Sequence, residues 1–384
     1  MSRVLTAFRG QWGLTPDGEF KESPWIIIGG NRVLEYGFGK PPKTLFFKPL
    51  EEGVILPGLV NAHVHFEYSL LKNKLSPGAG TLNTMSKFIT SEKKFDENVQ
   101  KECAKEDLYQ AYYRGTFYFN EVSQDINFLR FIQFQPAFHG NLFWELRGFR
   151  TEEAQHKIKE LKEELQNKEH IIPTPHSVYL TAPSLMKKIR EVTRGTTLTI
   201  HLLESPDEWD LPFERGETYL YLKKQNLYER HREIYFNNIL PYLHSIGILS
   251  FKKLFLVHLL HTTKREMDFL NTVVPHAAWV LCHRSVEFLG YRRRNWTLLG
   301  NSPLQMLIGT DSSALASDVS ILDELYAIEK KDIYPMNKLW RAATFEAYDY
   351  FEIPRQNVQF YYFAGSKPQL ESLVKVQKAV PLIG

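Results

Sequence analysis

Residues 57–69 read PGLVNAHVHFEYS. The stretch closes the apolar run Val54 to Val60 and sets His63 and His65 one residue apart. On a β-strand, side chains at i and i+2 share a face, so the two imidazoles converge on one point. Such a pair at a strand end is poor core filler but a good beginning for a borderline metal such as zinc, provided further ligands arrive from elsewhere. Alone, a His-X-His pair also reads as two satisfied or surface histidines. The remaining ligands decide between the two.

Around this stretch, short apolar runs alternate with longer charged segments, the signature of βα units and a parallel sheet. Candidate strands are Val54 to Val60, Gly115 to Val122, Phe131 to Phe138, Ile171 to Tyr179, Thr197 to Leu203, Leu254 to Leu260, Ala278 to Cys282 and Gln305 to Thr310. Helix-like stretches between them include Thr151 to Lys168, Ser184 to Arg194, Gly216 to Ile239 and Thr263 to Val273. Eight such strands predict an α/β fold of the (β/α)8 TIM-barrel type, whose active sites lie at the C-terminal strand ends. Short runs before about residue 55 (Val4 to Phe8, Trp25 to Ile28, Thr44 to Phe47) and after Ile353 (Val358 to Gly365, Leu373 to Val380) read as antiparallel strands. The expected organisation is therefore a small β-sandwich from residues 1–55 plus 354–384, flanking a barrel over 56–353.

A chain of 384 residues, 43% hydrophobic and 24% charged, can bury a large core. Its 47 Lys and Arg against 44 Asp and Glu leave a net charge of +3, so no global field recommends nucleic acid or an anionic membrane as partner. Cys103 and Cys282 are too few for a disulfide framework and form no Cys-X-X-Cys pattern, which fits a reducing compartment. The N-terminus lacks a signal-peptide core, and no run of about 18 apolar residues occurs. A cytoplasmic location is expected. A small molecule is the expected partner, and self-association is left open.

The strand ends carry the chemistry. His176 falls near the end of the fourth strand, His201 with Glu204 at the fifth, His258 and His261 at the sixth, and Asp311 after a Gly-Thr turn at the eighth. Of 13 histidines, six gather at these few points, whereas His156, His170, His231 and His244 sit in helix-like surface stretches. Core packing alone does not produce that bias. Each residue also has a plainer reading: Glu204 as a partner for His201 or for an Arg, His176 as a core histidine, His261 as a supporting group. His139 and His276 read as unrelated to the site, and the Arg292 to Arg294 run as a solvated face or a meeting point for an anionic substrate group.

The ordered set HVH after PGLVNA, PHSVYLTAPSL, HLLES, VHLLH and GTDS resembles the amidohydrolase superfamily, specifically its aminohydrolase branch of nucleobase and nucleoside deaminases and related chlorohydrolases. The resemblance covers nearly the whole chain, including the split β-sandwich. It implies one divalent metal, zinc first with iron or manganese as alternatives, held by His63, His65, His201 and Asp311, with Glu204 and His258 beside it. Binuclear members add a Lys at the end of strand four; from His170 to Tyr179 there is none, which implies a single metal. His283 stands where relatives often carry Pro, a departure in a substrate-facing loop.

A catalytic zinc lowers the pKa of a water beside it to about 7. Asp311 can then take a proton from that water, Glu204 can shuttle one to a ring nitrogen and onward to the departing amine, and His258 can stabilise developing negative charge. The phrase HFEYS, His65 to Ser69, is similar to the sequence after the metal histidines in aminofutalosine deaminases, which convert 6-amino-6-deoxyfutalosine, an adenine nucleoside with a benzoate tail, into futalosine for menaquinone. The expected function is hydrolytic deamination of an aminopurine nucleoside. Glu67 is then a contact to sugar or base, or else a salt-bridged loop carboxylate, and His176 a substrate contact. Other adenosine, thioadenosine or guanine deaminases and chlorohydrolases are the nearest alternatives. A catalytically silent barrel serving as a binding module is the alternative from another class.

Overall fold

The computed structural model describes residues 5–43, 45–78, 80, 96–167, 170–231, 238–291 and 295–383. Seven strands lead in: β1 Leu5–Arg9, β2 Trp12–Leu14, β3 Phe20–Glu22, β4 Pro24–Gly29, β5 Arg32–Phe38, β6 Lys48–Pro49 and β7 Gly53–Pro57. Eight follow with helices between them: β8 Leu59–Val64, β9 Thr116–Ser123, β10 Gly140–Leu146, β11 Ile171–Pro175, β12 Thr197–Leu202, β13 Lys253–His258, β14 Ala278–Leu281 and β15 Gln305–Ile308. The chain ends on β16 Phe360–Ala364 and β17 Val380–Pro381.

The eight middle strands form two parallel four-stranded sheets, ordered β11-β10-β9-β8 and β12-β13-β14-β15. Their near-continuous apolar character follows from burial on both faces, since βα connections lay helices over parallel strands; β8 and β14 are buried at every position. The outer strands of the two sheets are bonded to each other. At one seam Thr310 N and Asp311 N both donate to His63 O at 3.0 Å, and Asn61 Nδ2 donates to Thr310 Oγ1 at 2.8 Å. At the other, Thr199 N donates to Thr174 Oγ1 at 3.1 Å and His201 N to His176 O at 3.0 Å.

The terminal strands make two further sheets, β5-β4-β1-β6 and β17-β16-β7-β2-β3. The antiparallel pairing of β7 with β16, Leu56 opposite Tyr361, joins the two ends of the chain. The run Val54 to Val60 is thus divided: its first half belongs to this terminal sheet and its second half to the parallel one. Gly58 stands between the two, and a Cβ there would meet the Phe117 ring at 2.5 Å. Only glycine fits that approach.

Four expectations need correction. Phe131 to Phe138 is not a strand: the helix Ile126–Gln133 occupies its first part and the third parallel strand is β10. Asp125 starts that helix by accepting from Asn127 N at 2.8 Å, and Phe128, Leu129 and Ile132 bury one helical face. Gly216 to Ile239 is not one helix but two, Gly216–Lys224 and Ile239–Ser245, with residues 232–237 outside those described. Leu373 to Val380 yields a short helix, Leu370–Leu373, and only the two-residue β17. Residues 45–47 form no strand, and Thr44 is outside the described residues. Among the described residues, no helix is long and apolar enough to cross a membrane.

Candidate active site

His63 is the fifth residue of β8, and His65 follows that strand's last residue; His201 lies on β12 and His258 ends β13. All four are buried, as are His176, Glu204 and Asp311 beyond β11, β12 and β15. These are the C-terminal ends of parallel strands, where the loops rather than the strands set the chemistry. Four non-glycine residues there adopt left-handed backbone: Leu203 (φ 53°), His258 (φ 77°), Leu259 (φ 55°) and Asp311 (φ 61°). Such conformations cost roughly 1–3 kcal/mol each and persist where the surroundings over-determine them.

The histidines converge through one kind of atom. His201 Nε2 lies 3.1 Å from His63 Nε2 and 3.5 Å from His65 Nε2. His201 Nδ1 lies 3.1 Å from the His176 carbonyl oxygen, which can only accept. Nδ1 therefore carries the proton, and Nε2 presents a lone pair to the other two rings. One lone pair cannot satisfy two facing imidazoles, so a cation among the three nitrogens is the arrangement that uses them all. Donor atoms of His63, His65 and His201 all lie within 4.8 Å of one another, and imidazole suits zinc and its neighbours in the first transition row.

Protonation follows the same logic. Burial, then the neighbouring imidazoles, holds His63 well below its ordinary pKa, and burial, then His258, does the same for His201. Neutral imidazoles are what a metal takes. Burial acts in the same direction on His65, but the Glu67 hydrogen bond and the charges of Glu145 and Asp311 outweigh it and raise its pKa. Burial leads in pushing Glu204 well above the ordinary carboxylate range, and Asp311, Glu208 and Glu145 add to it.

Around this centre, Glu204 Oε1 stands 3.6 Å from His258 Nε2. The loop carrying Glu204 is clamped by Glu208, whose carboxylate accepts from Glu204 N at 2.8 Å and from Leu203 N at 2.9 Å. Asp311 is outside the tight three-histidine set; its carboxylate takes a hydrogen bond from Ser285. His176 stacks on His201 with ring centroids 4.7 Å apart. Glu67 accepts from Ser123 Oγ at 2.6 Å and Gln124 N at 3.1 Å, and its other oxygen lies 3.8 Å from His65 Nδ1. His261 adjoins Tyr291 and has its pKa lowered to about 4 by burial. His283 is fully buried beside Trp296, whereas His139 and His276 are exposed. Arg292 to Arg294 lie outside the described residues.

Two carboxylates were missed by sequence reasoning. Glu145 Oε1 lies 3.4 Å from His201 Nδ1, and Arg147 Nη2 donates to Glu145 Oε2 at 3.0 Å. The signal was a Glu within the apolar stretch NLFWELRG, lost when the third strand was set to start at Phe131, nine residues before Gly140. Glu208 completes a capping box with Ser205, and that Ser-X-X-Glu spacing is visible in the sequence.

No curated protein matches the chain. Solved structures do. The aminofutalosine deaminase of Helicobacter pylori in complex with methylthio-coformycin is 17% identical, with a TM-score of 0.77 over 98% of this chain and 97% of that one. An adenosine deaminase from Xanthomonas campestris with bound zinc is 15% identical, with a TM-score of 0.75 over 98% and 91%. A guanine deaminase from C. acetobutylicum with bound guanine is also 15% identical, with a TM-score of 0.70 over 94% and 90%. These likenesses establish a TIM-barrel-type fold. The sequence profile of the amidohydrolase family matches residues 54–356, so the chain belongs to the amidohydrolase family and is a hydrolase acting on carbon–nitrogen bonds.

Proposed function

We propose that this protein is a metal-dependent hydrolytic deaminase of an aminopurine nucleoside, with 6-amino-6-deoxyfutalosine as the substrate and futalosine and ammonia as products. The convergence of three imidazole Nε2 atoms at the strand ends carries the reading. The HFEYS stretch and the near full-length likeness to the H. pylori enzyme support the choice of substrate. In this reading the two parallel sheets close into one eight-stranded barrel over 56–353, and residues 1–55 and 354–384 form a β-sandwich beside it.

His63, His65, His201 and Asp311 would hold the metal, zinc first, although iron and manganese accept the same donors. When bound, such a cation lowers the pKa of a neighbouring water toward 7 and so supplies the nucleophile at neutral pH. The chain's own groups do the rest. The Asp311 carboxylate takes a proton from the attacking water. Glu204, its carboxyl pushed up by burial and by the neighbouring Asp311, Glu208 and Glu145, gives a proton to a ring nitrogen, and the proton taken from the water is returned to the amine, which leaves as ammonia while the ring carbon becomes a carbonyl. His258 faces Glu204 and stabilises charge on the attacked carbon's oxygen. His176 and Glu67 contact the base or sugar, with Glu67 oriented by Ser123 and Gln124.

Incubation with aminodeoxyfutalosine beside adenosine and guanine tests this directly. Futalosine and one equivalent of ammonia are expected from the first, at a kcat/KM well above the other two. Preference for adenosine or guanine would move the substrate to the alternative deaminases, and no ammonia from any of them after loading with zinc, iron or manganese would leave a binding module.

Glu145 positions His201 in this scheme, because a carboxylate on Nδ1–H fixes both tautomer and ring orientation. Glu145→Gln is expected to weaken metal affinity about 10–100-fold, as measured by competition with a chelator. Unchanged affinity would make Glu145 a partner of Arg147 alone.

A further inference from the structure

His258 is held differently from the ring beside it. His201 is steered through Nδ1, which lies 3.1 Å from the His176 carbonyl oxygen, whereas neither ring nitrogen of His258 has a hydrogen-bond partner among the described residues. Glu204 Oε1 stands 3.6 Å from His258 Nε2, beyond hydrogen-bond reach. The His258 ring stacks on that of His201, with centroids 5.5 Å apart, but stacking gives neither nitrogen a direction. The backbone that carries the ring must do so.

That backbone is strained. His258 (φ 77°) and Leu259 (φ 55°) are consecutive non-glycine residues in the left-handed region. The ladder between β13 and β14 has its last pair at Val257 and Val280, so the His258 carbonyl lies beyond it. In a residue so deeply buried that carbonyl needs a donor. Trp279 Nε1 supplies it, at 2.8 Å. Leu259 N on Leu202 O at 2.9 Å and Thr262 Oγ1 on Leu259 O at 2.7 Å hold the residue that follows, whereas the indole holds His258 itself.

Trp279 is a firm point from which to do this. It lies on β14 opposite Leu256 of β13 and Met306 of β15, so its backbone is paired on both sides. Its buried ring meets those of Trp296 and Tyr334, with centroids 6.4 and 6.2 Å away, and the Tyr334 hydroxyl ties the two neighbours together by donating to Trp296 O at 2.6 Å.

We propose that Trp279 is a positioning residue for the reaction: by holding the His258 carbonyl, its indole N–H keeps the left-handed turn that directs the His258 imidazole toward Glu204. The assignment rests on the charge-stabilising role given to His258 in the proposed function and adds the group that sets its direction. Trp279 acts only through His258.

Trp279→Phe would vacate part of a packed core, so the test replaces the indole by an isostere. Benzothienylalanine keeps the ring's shape and puts sulfur in place of the N–H. The full chain, loaded with zinc, is compared as wild type, Trp279→benzothienylalanine, His258→Ala and the double variant, with aminodeoxyfutalosine as substrate. Losing a donor to developing charge costs about 10² to 10³ in kcat, so misdirecting one should cost about tenfold, with KM kept within about twofold. In the His258→Ala background the same replacement should cost nothing further, because no imidazole remains to direct. A second readout needs no turnover: the imidazole nitrogen resonances of His258, assigned by their loss in His258→Ala, should move in the Trp279 variant more than those of His65. An undiminished kcat, an equal loss in both backgrounds, or unmoved His258 resonances would overturn the assignment. Wild-type kcat in His258→Ala would remove the charge-stabilising role of His258, and no ammonia from wild type would remove the deaminase reading. In either case the resonances alone decide whether Trp279 directs the ring.

Discussion

Glu204→Gln is expected to lower kcat by two or more orders of magnitude while metal content stays at the wild-type level, because positioned proton transfer contributes about 10² to 10⁴ in rate. The substitution keeps the side chain's shape and removes only its ability to deliver and recover a proton. Glu204 is outside the cluster of three histidines, and its carboxyl lies 3.6 Å from His258 Nε2. The backbone clamp from Glu208 to Leu203 N and Glu204 N does not involve the Glu204 side chain, so the loop should hold its place. The measurement is metal content by elemental analysis beside steady-state ammonia release. A variant with wild-type kcat removes Glu204 from proton transfer, and one that loses its metal assigns it to the ligand set instead. Loss in KM with kcat kept would make it a substrate contact.

The groups on which this prediction rests were legible before any coordinates. Histidine is scarce and polar, so His201 inside LTIHLL or His258 inside LFLVHLL is conspicuous against an apolar strand. The βα alternation places both at C-terminal ends, and the structure keeps them there, paired as Leu202 opposite His258 in neighbouring strands. Glu145 was equally conspicuous in kind but not in place. An aromatic-rich stretch with Phe at both ends, Phe131 to Phe138, reads as a strand, yet Asp125 caps a helix that runs on to Gln133. The side chain that caps decided the element, and hydrophobicity did not. Setting the strand too early hid the carboxylate and Arg147 two residues beyond it.

What pattern reading could not supply was pairing between distant segments. Ile55 and Ile200 are both buried strand residues with nothing local to distinguish them. One pairs with Tyr362 in the terminal sheet and the other with Leu256 in the parallel one. The division at Gly58 depends on Phe117 and Gln359, residues 59 and 301 positions away, so no window of sequence contains it.

His201→Ala should cost both metal and activity, and by more than any other single change at the centre. His201 is the only ring whose Nε2 lies within 3.5 Å of both His63 Nε2 and His65 Nε2 among the described residues. Its removal takes away a ligand and leaves Glu145, buried and bonded to Arg147, without its imidazole. Replacing a partner of a ligand typically costs 10–100-fold in metal affinity, so replacing the ligand itself should exceed roughly 100-fold. Two measurements separate this from general unfolding. Circular dichroism and urea unfolding of the metal-stripped proteins should be similar for variant and wild type, whereas added zinc should raise the unfolding midpoint of wild type alone, since a ligand stabilises only the state that binds it. If zinc stabilises His201→Ala as much as wild type, the three converging nitrogens are not the binding site, and the proposed mechanism loses its centre.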